Sequence, residues 1–151
     1  MRITQEADYA IRICAVLDSL GEKTGAMEIA EKACITQRFA LKILGKLAEV
    51  GIVRSFKGAS GGYVLTVGGD ELKIIDVIEA IEGPMKISKC LECGYDCSRN
   101  PNKVCCNMHL AFEAINKNLV DSFGKITVRM LNDKSIGAED ISDLINNKNY
   151  T

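Results

Sequence analysis

Apolar residues near the start of the chain recur at helical spacing, with Ala7, Ile11, Cys14 and Leu17 three or four apart behind Thr4, a residue suited to cap free helix amides. The pattern predicts a first helix ending near Gly21. A short helix follows over residues 27–33. Thr36 then opens a third, with Phe39, Ile43, Leu44 and Leu47 as its apolar face and Gly51 as its stop. The brief turn Cys34-Ile35-Thr36 between the last two makes a helix-turn-helix. Cys14 and Cys34 lie on apolar faces of this unit and are expected to be inert core thiols.

Residues 52–56 and 62–67 are short β-rich runs joined by Lys57-Gly58-Ala59-Ser60-Gly61, which predicts a hairpin with a glycine-rich tip. Asp70 precedes a further helix carrying Ile74, Val77, Ile78 and Ile81 on one face and ended by Gly83-Pro84. Residues 90–109 show no apolar period. Beyond them Phe112, Ile115, Leu119, Phe123, Ile126 and Met130 mark a helix of about 20 residues, roughly 30 Å long. A stripe that long calls for the same helix of a second subunit. The expected fold is therefore mainly α with a small β wing. Its parts are a winged helix-turn-helix domain over residues 1–83, a cysteine-rich loop over 84–109, a dimerisation helix over 110–131 and a weakly attached tail over 132–151.

The net charge of −1 does not advertise nucleic acid, so any DNA surface must come from local placement of basic residues. Residues 35–58 supply it: Arg38, Lys42, Lys46, Arg54 and Lys57 stand there against the single acid Glu49. In a winged helix the helix after Thr36 enters the major groove and the hairpin tip reaches the neighbouring minor groove or backbone. Gln37 suits adenine and Arg38 guanine, while Lys42, Lys46 and Lys57 suit phosphates, with Ser60 at the tip beside the sugar-phosphate backbone. The same glycine-rich segment spells G-x-S-x-G, the signature of a hydrolase nucleophile. That chemistry needs a strand-turn-helix context and a histidine partner. Here a strand follows the motif, and the only histidine, His109, lies in the cysteine loop. No enzyme is expected.

Seven cysteines in a chain whose first residues carry no apolar leader point to a reducing cytoplasm, where clustered thiols serve as ligands or reactive groups. No apolar run approaches the ~20 residues that cross a bilayer. Five of the seven fall in the pattern Cys90-x2-Cys93-x3-Cys97-x7-Cys105-Cys106-x2-His109. By spacing alone this accommodates zinc or an iron-sulfur cluster about equally, with a redox disulfide behind.

Several segments resemble the IscR and NsrR regulators of the Rrf-two (Rrf2) family. They are Met1-Arg2-Ile3-Thr4 with Asp8-Tyr9-Ala10, Gln37-Arg38-Phe39, Gly58-Ala59-Ser60-Gly61-Gly62-Tyr63, and Val77-Ile78-Glu79-Ala80-Ile81-Glu82-Gly83 leading into the cysteine loop. The resemblance spans residues 1 to about 130. It implies a transcriptional repressor or activator that binds a double-stranded DNA operator as a homodimer with crossed long helices. A 4Fe-4S or 2Fe-2S cluster, bound by three cysteines and one variable ligand, would sense redox state, nitric oxide or iron. Cys90, Cys97 and Cys106 fall at the family's cysteine positions and His109 at the IscR histidine. Asp8 falls where the NsrR branch supplies a carboxylate from the other subunit. The residue-level alternative for Asp8 is an i,i+4 pair with Arg12. A longer loop and the extra thiols Cys93 and Cys105 depart from the family, which keeps a zinc-containing or thiol-based sensor as the alternative.

Overall fold

The structure, a computed structural model, describes residues 3–58, 60–98 and 106–146; Met1, Arg2 and Cys105 lie outside them. Helix α1 spans Gln5–Leu20, with Thr4 Oγ1 accepting from the Ala7 amide at 3.2 Å and Gly21 closing the helix in the left-handed region at φ 65. α2 covers Ala26–Lys32 and α3 covers Gln37–Glu49, capped by Thr36 through the Phe39 amide. Ala10, Ile13, Cys14 and Leu17 of α1 meet Ile29 and Ala30 of α2 and Ala40, Ile43, Leu44 and Leu47 of α3 in one core.

Two expectations change here. Phe39 is 45% exposed, because the core stripe of α3 runs through Ala40 and its i+3, i+4 and i+7 neighbours. Its ring instead meets Tyr9 edge-on, centroids 6.0 Å apart. Cys34 is exposed, since it turns the chain between α2 and α3 at φ 55 and has left the helical face expected to bury it.

Strands β1 (Val53–Phe56) and β2 (Gly62–Leu65) pair antiparallel with Val53 opposite Leu65 and Phe56 opposite Gly62. Tyr63 exchanges both backbone hydrogen bonds with Thr24, at 2.8 and 3.0 Å, fixing the wing to the loop between α1 and α2. A side chain at position 62 would meet the Thr24 carbonyl oxygen at 2.7 Å, which explains the glycine there. α4 spans Ile74–Glu82, with the Lys73 amide donating to Asp76 Oδ2.

The long helix has the expected length but ends earlier than expected, before Ile126 and Met130. α5 spans Asn107–Lys125 and stops because Ile126 is extended and enters backbone bonds with the start of α4. The Ile74 amide donates to the Ile126 carbonyl at 2.9 Å, and the Val128 amide donates to the Leu72 carbonyl at 2.8 Å. The chain resumes as α6 (Val128–Asn132), whose Val128 is fully buried, and then α7 (Ala138–Asn146). Nor is the stripe on α5 wholly unpartnered within the chain. Leu119, Val120 and Phe123 pack on Ile74, Ile75, Ile78 and Met85, whereas Met108, Leu110 and Ile115 at the other end stay more than half exposed.

Candidate DNA-binding surface and cysteine-rich site

With one side of α3 in the core, its other side presents Gln37, Arg38, Leu41, Lys42 and Gly45, all exposed. Arg38, Leu41, Lys42 and Gly45 follow the three- and four-residue steps that make one helical face. The structure thus brings Gln37, Arg38 and Lys42 to a single surface. Lys57 and Ser60 are exposed at the wing tip, and Lys23 places its ammonium 5.4 Å from the Phe56 ring centroid at the wing's base.

Two of the expected phosphate ligands already have a partner. Glu6, in the first turn of α1, meets Lys42 Nζ through Oε1 at 2.5 Å and Lys46 Nζ through Oε2 at 2.8 Å. The lysines, Lys42 first, hold the Glu6 carboxyl below the usual carboxylate range. Sequence reasoning missed Glu6, because only tertiary packing sets the first turn of α1 against α3.

Among the cysteine-loop residues, Cys90 lies in a 3-10 turn over Lys89–Leu91 with its Sγ 3.2 Å from Ser88 Oγ. Cys106 is the residue before α5, and His109 sits in that helix's first turn. Cys90, Cys97, Cys106 and His109 are half-buried, whereas Cys93 is exposed. The approach to Cys90 is tied to α5 by Asn116, one of two buried polar residues among those described. Its Oδ1 accepts from the Ile87 amide at 2.9 Å and its Nδ2 donates to the Met85 carbonyl at 3.1 Å.

Three thiols and an imidazole suit an iron-sulfur cluster in kind and number. Among the described residues, no three His, Cys, Asp or Glu side chains stand close enough together to hold a metal ion. The chain between Cys97 and Cys106 runs mostly through residues 99–105, outside those described. Asp8 pairs with Arg12 at 2.8 Å within its own helix. Cys14 stands apart: full burial pushes its thiol up to about 12. No described helix is long and apolar enough to cross a membrane.

Comparison with known proteins extends these observations. A family model described as Rrf2, iron-dependent transcriptional regulator, matches residues 3–134. A Rhizobium meliloti protein, aau3, is 32% identical over 99 residues, and the match spans 64% of each chain. The Bacillus subtilis HTH-type transcriptional regulator NsrR is 28% identical over 118 residues, 76% of this chain and 80% of that one. Among solved structures, IscR of T. potens superposes with a TM-score of 0.66 at 21% identity, covering 91% of this chain and 93% of that one. CymR, the global cysteine regulator of B. subtilis, superposes with a TM-score of 0.64 at 23% identity, over 87% and 95%. These likenesses show a shared winged-helix fold.

Proposed function

Because the chain belongs to the Rrf2 family of transcriptional regulators, we propose that it binds a double-stranded DNA operator as a cytoplasmic homodimer, with affinity set by an iron-sulfur cluster on Cys90, Cys97 and Cys106 and either His109 or Asp8. The observation that carries the DNA reading is the outward face of α3, where Gln37 and Arg38 follow the Thr36 cap with no core role to hold them. Gln37 and Arg38 read base edges, while Lys57 and Ser60 on the wing engage the backbone.

The metal reading is supported by the donor set and by membership of a family of iron-dependent regulators. When bound, such a cluster supplies electron exchange and a point of attack for small oxidants or nitric oxide. The chain's own residues do the rest. Asn116 holds residues 85–87 against α5, keeping the approach to Cys90 and the helix that carries His109 in one assembly. Glu82, at the end of α4 that leads into the loop, accepts from the Thr4 amide and from Thr4 Oγ1, both at 2.9 Å. A change in the loop therefore reaches α1, which packs on α3. A zinc or thiol-based sensor is the second reading, favoured by the exposed extra thiol Cys93.

The test is anaerobic purification with an absorption spectrum, iron, sulfide and zinc counts, and a gel shift on genomic fragments before and after iron is stripped. Visible charge-transfer bands and iron-dependent retention are expected. Arg38→Ala should cost ~1–3 kcal/mol on the retained site, while Lys57→Ala weakens all sequences alike. Zinc without iron selects the second reading, and no retention in either form overturns the DNA reading.

A further inference from the structure

Glu6 stands on the DNA-facing side of the molecule as a counter-charge that sequence reading did not assign. Its carboxylate, 26% exposed, is shared by Lys42, 58% exposed, and Lys46, 34% exposed, with each oxygen committed to a different ammonium. Both lysines belong to α3 and Glu6 to α1, so the pairing is a tertiary contact. The start of α1 is itself fixed, because Thr4 caps it and is bound in turn to Glu82. The backbone that carries Glu6 is therefore held in place beside α3.

A phosphate that approached either ammonium would arrive beside an existing carboxylate. It would have to displace the carboxylate or share the lysine with it, and like charges resist sharing. Arg38, on the same helix, has no such neighbour among the ion pairs of the described residues.

We infer that Glu6 is an affinity-setting residue of the DNA surface: it competes with phosphate for Lys42 and Lys46 and so lowers binding to duplex DNA of any sequence. The inference rests on the DNA-binding reading above. It assigns α3 two phosphate ligands that act at partial strength and leaves base reading to Gln37 and Arg38.

The experiment measures fluorescence anisotropy of the full-length protein on a labelled mixed-sequence duplex of roughly 30 base pairs, about three helical turns, across a salt series. Each phosphate contact adds about 0.9 to the slope of log affinity against log salt. Glu6→Gln should steepen the slope by about 1 to 2 and raise affinity about ten- to fifty-fold near 0.1 M salt. Adding Lys42→Ala and Lys46→Ala to Glu6→Gln should remove that gain, and the same pair of substitutions should flatten the slope less in the parent chain than in Glu6→Gln. Glu6→Ala, checked by circular dichroism for helix content, should reproduce the Glu6→Gln slope. If the parent binds and Glu6→Gln leaves the slope unchanged or flattens it, Glu6 either has no role or holds the lysines ready for phosphate, and the inference falls while the DNA reading stands. If neither chain binds the duplex at low salt, both fall.

Discussion

The Asp18 carboxylate, its side chain only 3% exposed, receives Arg129 through two parallel bonds, Nε to Oδ2 at 2.8 Å and Nη2 to Oδ1 at 2.8 Å. The Gly69 amide and Asn132 Nδ2 also donate to it, so one acid on α1 fastens both the segment before α4 and the helix α6. Bidentate geometry of this kind gives the stronger class of hydrogen bond.

Replacing Asp18 with Ala strands the Gly69 amide and lets Arg129 return to water. A loss of about 1–3 kcal/mol is expected in urea unfolding, the range for leaving a buried hydrogen-bond donor without its partner. Gly69→Ala should mimic it in part, because a Cβ there would meet the Asp18 carboxyl at 2.3 Å. Burial alone would raise the Asp18 carboxyl, but Arg129, Asn132 and the Gly69 amide outweigh burial and hold it below the usual range. A carboxyl whose folded value lies below its unfolded value of ~3.9 stabilises fully above that value and loses its contribution as pH falls through the folded one. The parent chain should therefore lose stability below about pH 4, and Asp18→Asn should show a shallower acid loss.

Gly45 lies within α3, yet a Cβ built on it meets nothing within 4 Å. Packing inside the chain does not require a glycine, and glycine inside a helix costs about 1 kcal/mol relative to alanine. Gly45→Ala should accordingly stabilise the fold by about 0.5–1 kcal/mol in urea unfolding. Since position 45 shares a face with Arg38 and Lys42, the same change should weaken DNA binding in a gel shift. A stabilised variant with unaltered DNA affinity would show that this part of α3 stands clear of the duplex.

Ile115 and Leu119 are one turn apart on α5 and should respond differently to charge. Ile115 is 54% exposed, whereas Leu119 is half-buried against the cluster built on α4. If the exposed end of α5 forms the homodimer seam, Ile115→Lys should give a folded monomer by light scattering. Leu119→Lys should in addition lower the melting temperature, because it also buries charge within its own subunit. A soluble Ile115→Lys variant that keeps a dimeric mass places the seam elsewhere.

Much of the DNA-binding unit was legible from local signals: Thr4 and Thr36 cap the helices expected of them, Gly21 stops the first, and the hairpin falls where two β-rich runs flank glycines. What the sequence concealed is set by long-range partners. Ile126 fits the period of the preceding helix, but its carbonyl is taken by the Ile74 amide, so the helix ends at Lys125. Cys34 reads as a helical apolar position until the turn lifts it into solvent. Of the proposed cysteine site the sequence supplies candidate donors and their order, because ligand spacing is local. The contacts that position the approach to it, Asn116 to the backbone of residues 85–87 and Thr4 to Glu82, join residues 29 or more apart in the chain and leave no periodic trace.

The ligand assignment divides the thiols into groups that chemistry can separate. Cys90, Cys97 and Cys106 are half-buried, Cys93 and Cys34 are exposed, and Cys14 is fully buried with a thiol pushed up to about 12. The reactive thiolate is scarce in Cys14 at any ordinary pH. In native, iron-free protein, alkylation at neutral pH followed by mass spectrometry should label Cys34 and Cys93 first and leave Cys14 untouched. In anaerobically isolated protein, Cys90, Cys97 and Cys106 should be protected as well. Serine at any of those three should abolish the visible charge-transfer absorption. His109→Ala or Asp8→Ala should make it labile to oxygen, whichever is the weaker nitrogen or oxygen ligand, while Cys93→Ser should leave it intact. Asp8→Ala carries a further discrimination, because Asp8 already pairs with Arg12. If that pair is all Asp8 does, its loss should leave absorption unchanged and shift stability by only ~0.3–0.5 kcal/mol. Full retention of the absorption in Cys97→Ser would overturn the assignment, and a parent protein that carries zinc and no iron would move the site to a structural metal.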